Sequence, residues 1–280
     1  MIPYEAPRKL LVVTRGHPFE RDEFVALLDA MQDVAWFHAE HPAAPALFDP
    51  DRAADFAAFL CYDMPGLSFR PGANSGYLGV DYVAPPAFLV RGMEALLEAG
   101  KPMIFLHHAL AGWPSWERYK DIVGGRFQYK REPARGLMDS GYRHGVRHRV
   151  EVVTDHPITR GLGAGFEIED ELYLVDIDEA DKLPLLRSTH DFSAEGFYSA
   201  HEAVMNDRLF TNEGWRRPAG SNLVAWVKRA VNSPIVYIQC GDSPAAYANP
   251  SFRLLLQNAI DWATSEAARR WARSPAVGIS

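Results

Sequence analysis

A chain of 280 residues, 48% hydrophobic and 23% charged, has the composition of a folded globular protein and can bury a sizeable core. Its 36 acidic against 29 basic residues leave a formal net charge of −7, which offers no basic field to a nucleic-acid backbone. No apolar run approaches a membrane span, and Met1 to Arg8 shows neither a leader-like apolar stretch nor a small-residue cleavage pattern, so a cytoplasmic protein without a membrane partner is expected. Two cysteines, Cys61 and Cys240, are too few for a disulfide framework and read as small apolar residues on buried strands.

In chain order, Lys9 to Thr14 is an apolar, β-branched run leaving through Arg15-Gly16-His17-Pro18, as a buried strand enters a tight turn. Phe24, Leu27, Leu28 and Met31 then make one helical stripe from near Glu20. Val34 to Phe37 and Ala57 to Tyr62 are the next strands, the latter closed by Asp63-Met64-Pro65-Gly66. From Pro65 to Pro86 five scattered Gly and Asn residues without sustained period predict a long loop over a strand end. Pro86 opens a helix with Leu89, Met93, Leu96 and Leu97 on its buried face, and Gly100 stops it. Met103 to Leu106 is the fourth strand, delivering His107 and His108 at its C-terminal end.

A short helix is expected from Trp113 to Val123, and the next forty residues show little period. His148 to Thr154 alternates as a strand, Phe166 to Ile177 contains another, and Ser233 to Gln239 is a late buried strand running into Gly241-Asp242. Asn249 and Pro250 open a closing helix with Phe252, Leu255, Leu256, Ala259, Ile260 and Ala263 on one face. The polar tail, 265–280, is expected to fray or dock on a partner. These elements predict one α/β domain with its core at about 9–263: a mostly parallel sheet, helices on both faces, and an elaborated, β-rich middle.

In such a sheet, ligands bind outside the carboxyl ends of the strands. Gly16 and His17, Asp63, His107 and His108, and Asp242 all follow strands, so they are expected to converge on one edge. Adjacent residues at a strand end point in different directions, so one of His107 and His108 should face the cleft and the other support it or pack below. Trp113 and Trp116 could present an indole face to a sugar or pack in the core. Alternation puts Glu169, Glu171 and Tyr173 on one side of a strand and Asp170 on the other. That cluster is either a solvated edge or a source of a carboxylate for acid/base or metal chemistry. Tyr142, Arg143, His144, Arg147 and His148 form a basic patch suited to the surface or to a hydroxyl-rich ligand. No Gly-x-Gly-x-x-Gly, phosphate-loop lysine or Gly-x-Ser-x-Gly motif is present, which disfavours a nicotinamide dehydrogenase, a P-loop nucleotidase and a serine hydrolase.

Phe105-Leu-His-His-Ala109, Trp113-Pro-Ser-Trp116, Val123-Gly-Gly-Arg-Phe127, Asp155-His-Pro-Ile-Thr159 with Gly161-Leu162, and Asp170-Glu-Leu-Tyr173 together resemble the signatures of the ThuA-like, or trehalose-utilisation, family. The resemblance spans about Lys9 to Ala263. It implies a flavodoxin-like, class I glutamine amidotransferase-like fold and a link to catabolism of trehalose, related disaccharides or their keto-sugars. Two departures stand out. Amidotransferases carry a nucleophilic cysteine after the strand resembling Pro102 to Leu106, where this chain has His107, so no glutaminase activity is expected. Many family members end the late strand in Gly-His, whereas here it is Gly241-Asp242.

Two functions remain open. One is a carbohydrate-active enzyme using His107 or His108, Asp63 and Glu171, with Gly16, His17, Trp113, Tyr142, His144, Asp170, Tyr173 and Asp242 holding the sugar. The other is a noncatalytic sugar-binding or regulatory protein on the same scaffold, and the fold alone does not decide. A small carbohydrate is the expected partner, and a homo-oligomer is possible. Metal-free chemistry is preferred, with zinc the first candidate if a divalent ion is used.

Overall fold

The computed structural model describes residues 5–274. The first apolar run forms β1 (Arg8–Arg15), followed by α1 (Arg21–Asp29), β2 (Val34–Glu40), β3 (Ala58–Asp63), β4 (Leu67–Pro71), β5 (Tyr77–Tyr82), α2 (Ala87–Ala99) and β6 (Met103–Leu106). The chain continues through α3 (Glu117–Val123), β7 (Gly141–Val152), β8 (Gly165–Leu174), β9 (Lys182–Ser188), β10 (Tyr198–Ser199), α4 (Ala200–Met205), β11 (Leu223–Ala230) and β12 (Ser233–Ile238). It closes with α5 (Pro244–Ala248), α6 (Pro250–Ala263) and α7 (Glu266–Arg273).

Strands β2-β1-β3-β6-β12 lie side by side and parallel, with β6 in the interior. Across β12 the sheet continues antiparallel through β11, β9 and β7, and β7 also pairs β8 and β10. The fold is thus α/β, its β-rich middle forming the antiparallel half of one ten-stranded sheet. Strand alternation divides the core into two layers. Leu10, Val12, Ile104 and Leu106 pack with α1 and α6 on one face, while Leu11, Val13, Met103 and Phe105 pack with α2 and α3 on the other. No helix among the described residues is long and apolar enough to cross a membrane.

Several expectations need correction. The segment expected as a loop after Pro65 contains the β4–β5 hairpin, whose turn is held by the Asp207 carboxylate, a distant acceptor for the amides of Ala73 and Asn74 at 3.0 Å. Trp113 and Trp116 precede α3 rather than ride on it, because Trp113 takes a positive φ of 43° and Trp116 caps the helix. The strand expected from His148 begins seven residues earlier, at Gly141. Asp170 and Glu171 are both buried, so the acidic cluster is not a solvated edge. The tail does not fray after Ser265: that residue caps α7, which buries Ala268 and Ala272, while 275–280 and the leader reading at 1–4 lie outside the described residues.

The middle region is anchored by a buried carboxylate. Asp139 accepts from Arg131 Nε at 2.8 Å, Trp215 Nε1 at 3.0 Å and the His201 amide at 3.1 Å. Nearby on β7, burial pushes the imidazole of His148 down to about 4, and burial does the same to His156 beside Trp262. In the unfolded chain both protonate near pH 6.5, so below that value the unfolded state binds more protons. The stability they contribute is full above pH 6.5 and declines as pH falls toward 4. We expect the melting temperature to drop over this window, and the slope to flatten in a His148→Phe, His156→Gln double variant; an unchanged slope would place the acid sensitivity elsewhere.

Candidate functional site

The tip of β6 lies between the ends of β3 and β12, with the turn after β1 and one end of β8 alongside. His107, immediately after β6, has a φ of 45°, a left-handed conformation that costs a non-glycine residue about 1–3 kcal/mol. The strain is held in place from several sides. His107 Nδ1 donates to the Gln239 carbonyl at 2.6 Å, and Tyr237 Oη donates to the His107 carbonyl at 3.0 Å. Nε2 then lies 2.7 Å from Tyr173 Oη, 3.0 Å from Glu171 Oε2 and 3.3 Å from Asp242 Oδ1.

Glu171 and Tyr173 share a face of β8, as alternation predicts, and both are buried there. The pairing of β7 with β8 slips between Arg143 and Val146, leaving His144 and Gly145 bulged opposite Glu171. His144 Nδ1 consequently sits 3.1 Å from Glu171 Oε1, with its ring edge toward Phe210 and Tyr142. On the other face of β8, Asp170 accepts the Asp242 amide at 3.0 Å, its own neighbour's amide at 2.9 Å, and the Gly241 amide. That grip fixes the turn where Asp242 swings toward His107. Gly241, at φ 120°, passes so close to the Phe252 ring that a Cβ there would come within 2.9 Å of it.

His108 turns to the opposite side. Its ring stacks on His17 at 4.5 Å between centroids and tilts against Tyr62 at 4.2 Å. Nε2 donates to the Tyr62 carbonyl at 3.4 Å, and Nδ1 has no partner among the described residues. His17 reaches this position because Gly16, at φ 98°, passes Met64, whose carbonyl oxygen would lie 2.2 Å from any Cβ.

The charges follow from this packing. Burial opposes charge on His107, yet Asp242 and Glu171 outweigh it and hold the imidazole well above its ordinary pKa. Burial lowers His108 and His17, leaving their rings neutral. Asp242, although burial opposes its charge, is kept ionised by His107. Asp170 is pushed up to about 7, chiefly by burial. Burial also raises the thiols of Cys61 and Cys240.

The structure therefore brings together His17, His107, His108, Asp170, Glu171, Tyr173 and Asp242, with His144 and Tyr142 at the rim. Asp63 and Trp113 are not part of that cluster. Asp63 Oδ2 lies 2.8 Å from His41 Nε2, His41 meets Trp113 edge-on at 5.9 Å, and neither Asp63 nor Trp113 bonds to a cluster imidazole. The reason is strand parity: Asp63 shares the side of β3 that carries Cys61, whereas His108 packs on Tyr62. Sequence reasoning missed His41, Gln239 and Phe210. His41 directly follows β2, so the strand-end rule finds it once that strand is extended beyond Phe37. A groove of about 710 Å³ at the opposite edge, beside Lys101 and Arg269, contains none of these residues.

A mostly parallel core sheet whose turn after an interior strand holds an imidazole among carboxylates defines an α/β protein with a polar centre at the strand ends. The family model described as ThuA, trehalose utilisation, matches residues 87–263, and the chain belongs to that family. A ThuA-like protein from Parabacteroides merdae superposes with a TM-score of 0.62 at 14% identity, covering 92% of this chain and 90% of that one. A second, from Bacteroides uniformis, gives 0.59 at 16% identity and covers 92% of each chain. A cytoplasmic protein of Salmonella typhimurium gives 0.56 at 9% identity, with 91% and 98% covered. No curated protein matches in sequence. These likenesses speak to fold.

Replacing Asp170 with alanine removes the acceptor of three backbone amides, those of Glu171, Gly241 and Asp242, at about 1–3 kcal/mol for each group left buried and unpaired. We expect urea unfolding of Asp170→Ala to show a loss of that size. A loss under 1 kcal/mol would show that the turn at Gly241 holds itself.

Proposed function

We propose that the protein is an enzyme of carbohydrate catabolism, acting on a disaccharide such as trehalose or on its keto-sugar at the strand-end centre, without glutaminase activity. The observation that carries this reading is the convergence of Glu171, Asp242 and Tyr173 on one nitrogen of His107 at the sheet edge. Asp242 is the member of that group most open to solvent, its side chain 18% exposed against 0% for His107. Asp242 thus meets the substrate, and His107 acts through it, sharing a proton among the carboxylate oxygens. Exposed Phe210, beside His144 and Tyr142, supplies an aromatic rim for the apolar face of a sugar ring. Glutaminase chemistry is disfavoured because His107 occupies the elbow and the two thiols are buried with raised pKa values.

Full burial of His107 favours the second reading, a sugar-binding or regulatory protein that does no chemistry. Titration calorimetry with trehalose and with a keto-disaccharide, combined with product analysis by NMR, separates the two. For the enzyme we expect turnover that falls about 10²–10⁴-fold in Asp242→Asn, the range for loss of a proton-transfer group, with substrate affinity changed much less. Binding without turnover would support the regulatory reading; neither binding nor turnover would overturn both.

A further inference from the structure

We infer that His17, His108 and Asp242 form a divalent metal site of the zinc class, with the open side of the ion toward the cleft. This inference does not depend on the carbohydrate reading. One potential ligand atom from each of the three residues lies within 4.8 Å of the other two. Some point therefore lies within about 2.8 Å of all three, less than an ångström beyond zinc's bond lengths of about 2.0–2.2 Å.

The hydrogen bonds of the rings point the same way. A carbonyl can only accept, so each contact below fixes a tautomer. His17 Nδ1 donates to the Pro18 carbonyl at 2.7 Å, which leaves Nε2 with a bare lone pair. His108 Nε2 donates to the Tyr62 carbonyl at 3.4 Å, which leaves Nδ1 bare, and that atom is buried with no partner among the described residues. An imidazole that gives one N–H to a backbone carbonyl keeps its other nitrogen free for an ion, as metal-bound histidines do. An orphaned buried nitrogen normally carries a penalty of about 1–3 kcal/mol, and a cation would remove it.

The donor set selects the ion. Two neutral imidazoles and one carboxylate suit zinc over magnesium or calcium, which prefer all-oxygen shells. Three protein ligands leave a fourth position for water or a substrate oxygen, as in zinc sites that do chemistry. Asp242 offers Oδ1 to His107, so its second oxygen can serve the ion while the first keeps the imidazole in place. The side chain that replaces the family's usual histidine after the late strand thereby serves two neighbours at once.

The test uses full-length protein without a histidine tag, stripped with a chelator and titrated with Zn²⁺ and, as a coloured probe of coordination, Co²⁺. We expect one ion per chain, visible Co²⁺ bands of a four-coordinate site, and a rise in melting temperature on loading. His17→Gln, at a half-buried loop position that should still fold, should weaken binding at least tenfold; Asp242→Asn should do the same, and His144→Ala should bind as wild type. No stoichiometric uptake by the wild type would overturn the assignment. So would uptake unaffected by His17→Gln, including a case where only Glu171→Gln abolishes it, since the ion would then sit between His107 and Glu171.

Discussion

The buried carboxylate of Asp170 is the contact on which the site depends. It lies on an antiparallel strand and receives the amides of Gly241 and Asp242 from the end of the last parallel strand. Without it, the two halves of the sheet would still pair through β11 and β12, but the turn that aims Asp242 would have no acceptor. The same stretch of β8 sends Glu171 and Tyr173 to His107 from its other face. One strand of the elaborated middle therefore supplies both the clamp on the turn and two walls of the centre, which explains why a parallel core alone would not suffice.

His107 shows how the environment settles a protonation state. With Nδ1 donating to a carbonyl, Nε2 faces two carboxylates that can only accept, so a proton on that nitrogen is favoured and the imidazole's pKa is raised. His108, one residue on, is in the reverse condition: neutral, stacked on a second imidazole and short of a donor. Alternation at a strand end separates these two rings, nearly perpendicular to each other, into different electrostatic settings.

The parallel core was legible because its strands are buried on both faces and read as unbroken apolar runs; Leu10 to Val13 and Met103 to Leu106 are examples. Helices α1, α2 and α6 were legible from period and caps. The β4–β5 hairpin was not, because its turn is organised by an aspartate far away in sequence and its glycines hide the alternation. Strands β9 and β11 had no local boundary signal in a region dominated by long-range pairing. In the site, strand-end logic located His17, His107, His108 and Asp242, and alternation placed Glu171 with Tyr173. It failed for Asp63 because a residue can end the right strand and still project to the wrong face. The partnership of His144 with Glu171 rests on a bulge, which no spacing in the sequence announces.

The hairpin turn held by Asp207 has a consequence in time. The acceptor lies 132 residues downstream of Ser75 and takes the amides of Ala73, Asn74 and Ser75. At ribosomal rates of about 5–20 residues per second, the turn waits on the order of ten seconds for Asp207 to be synthesised. The hairpin's acceptor therefore arrives after β1, β3, β6 and β8 but before β12 and Asp242, and its closure records that the middle of the chain has folded back.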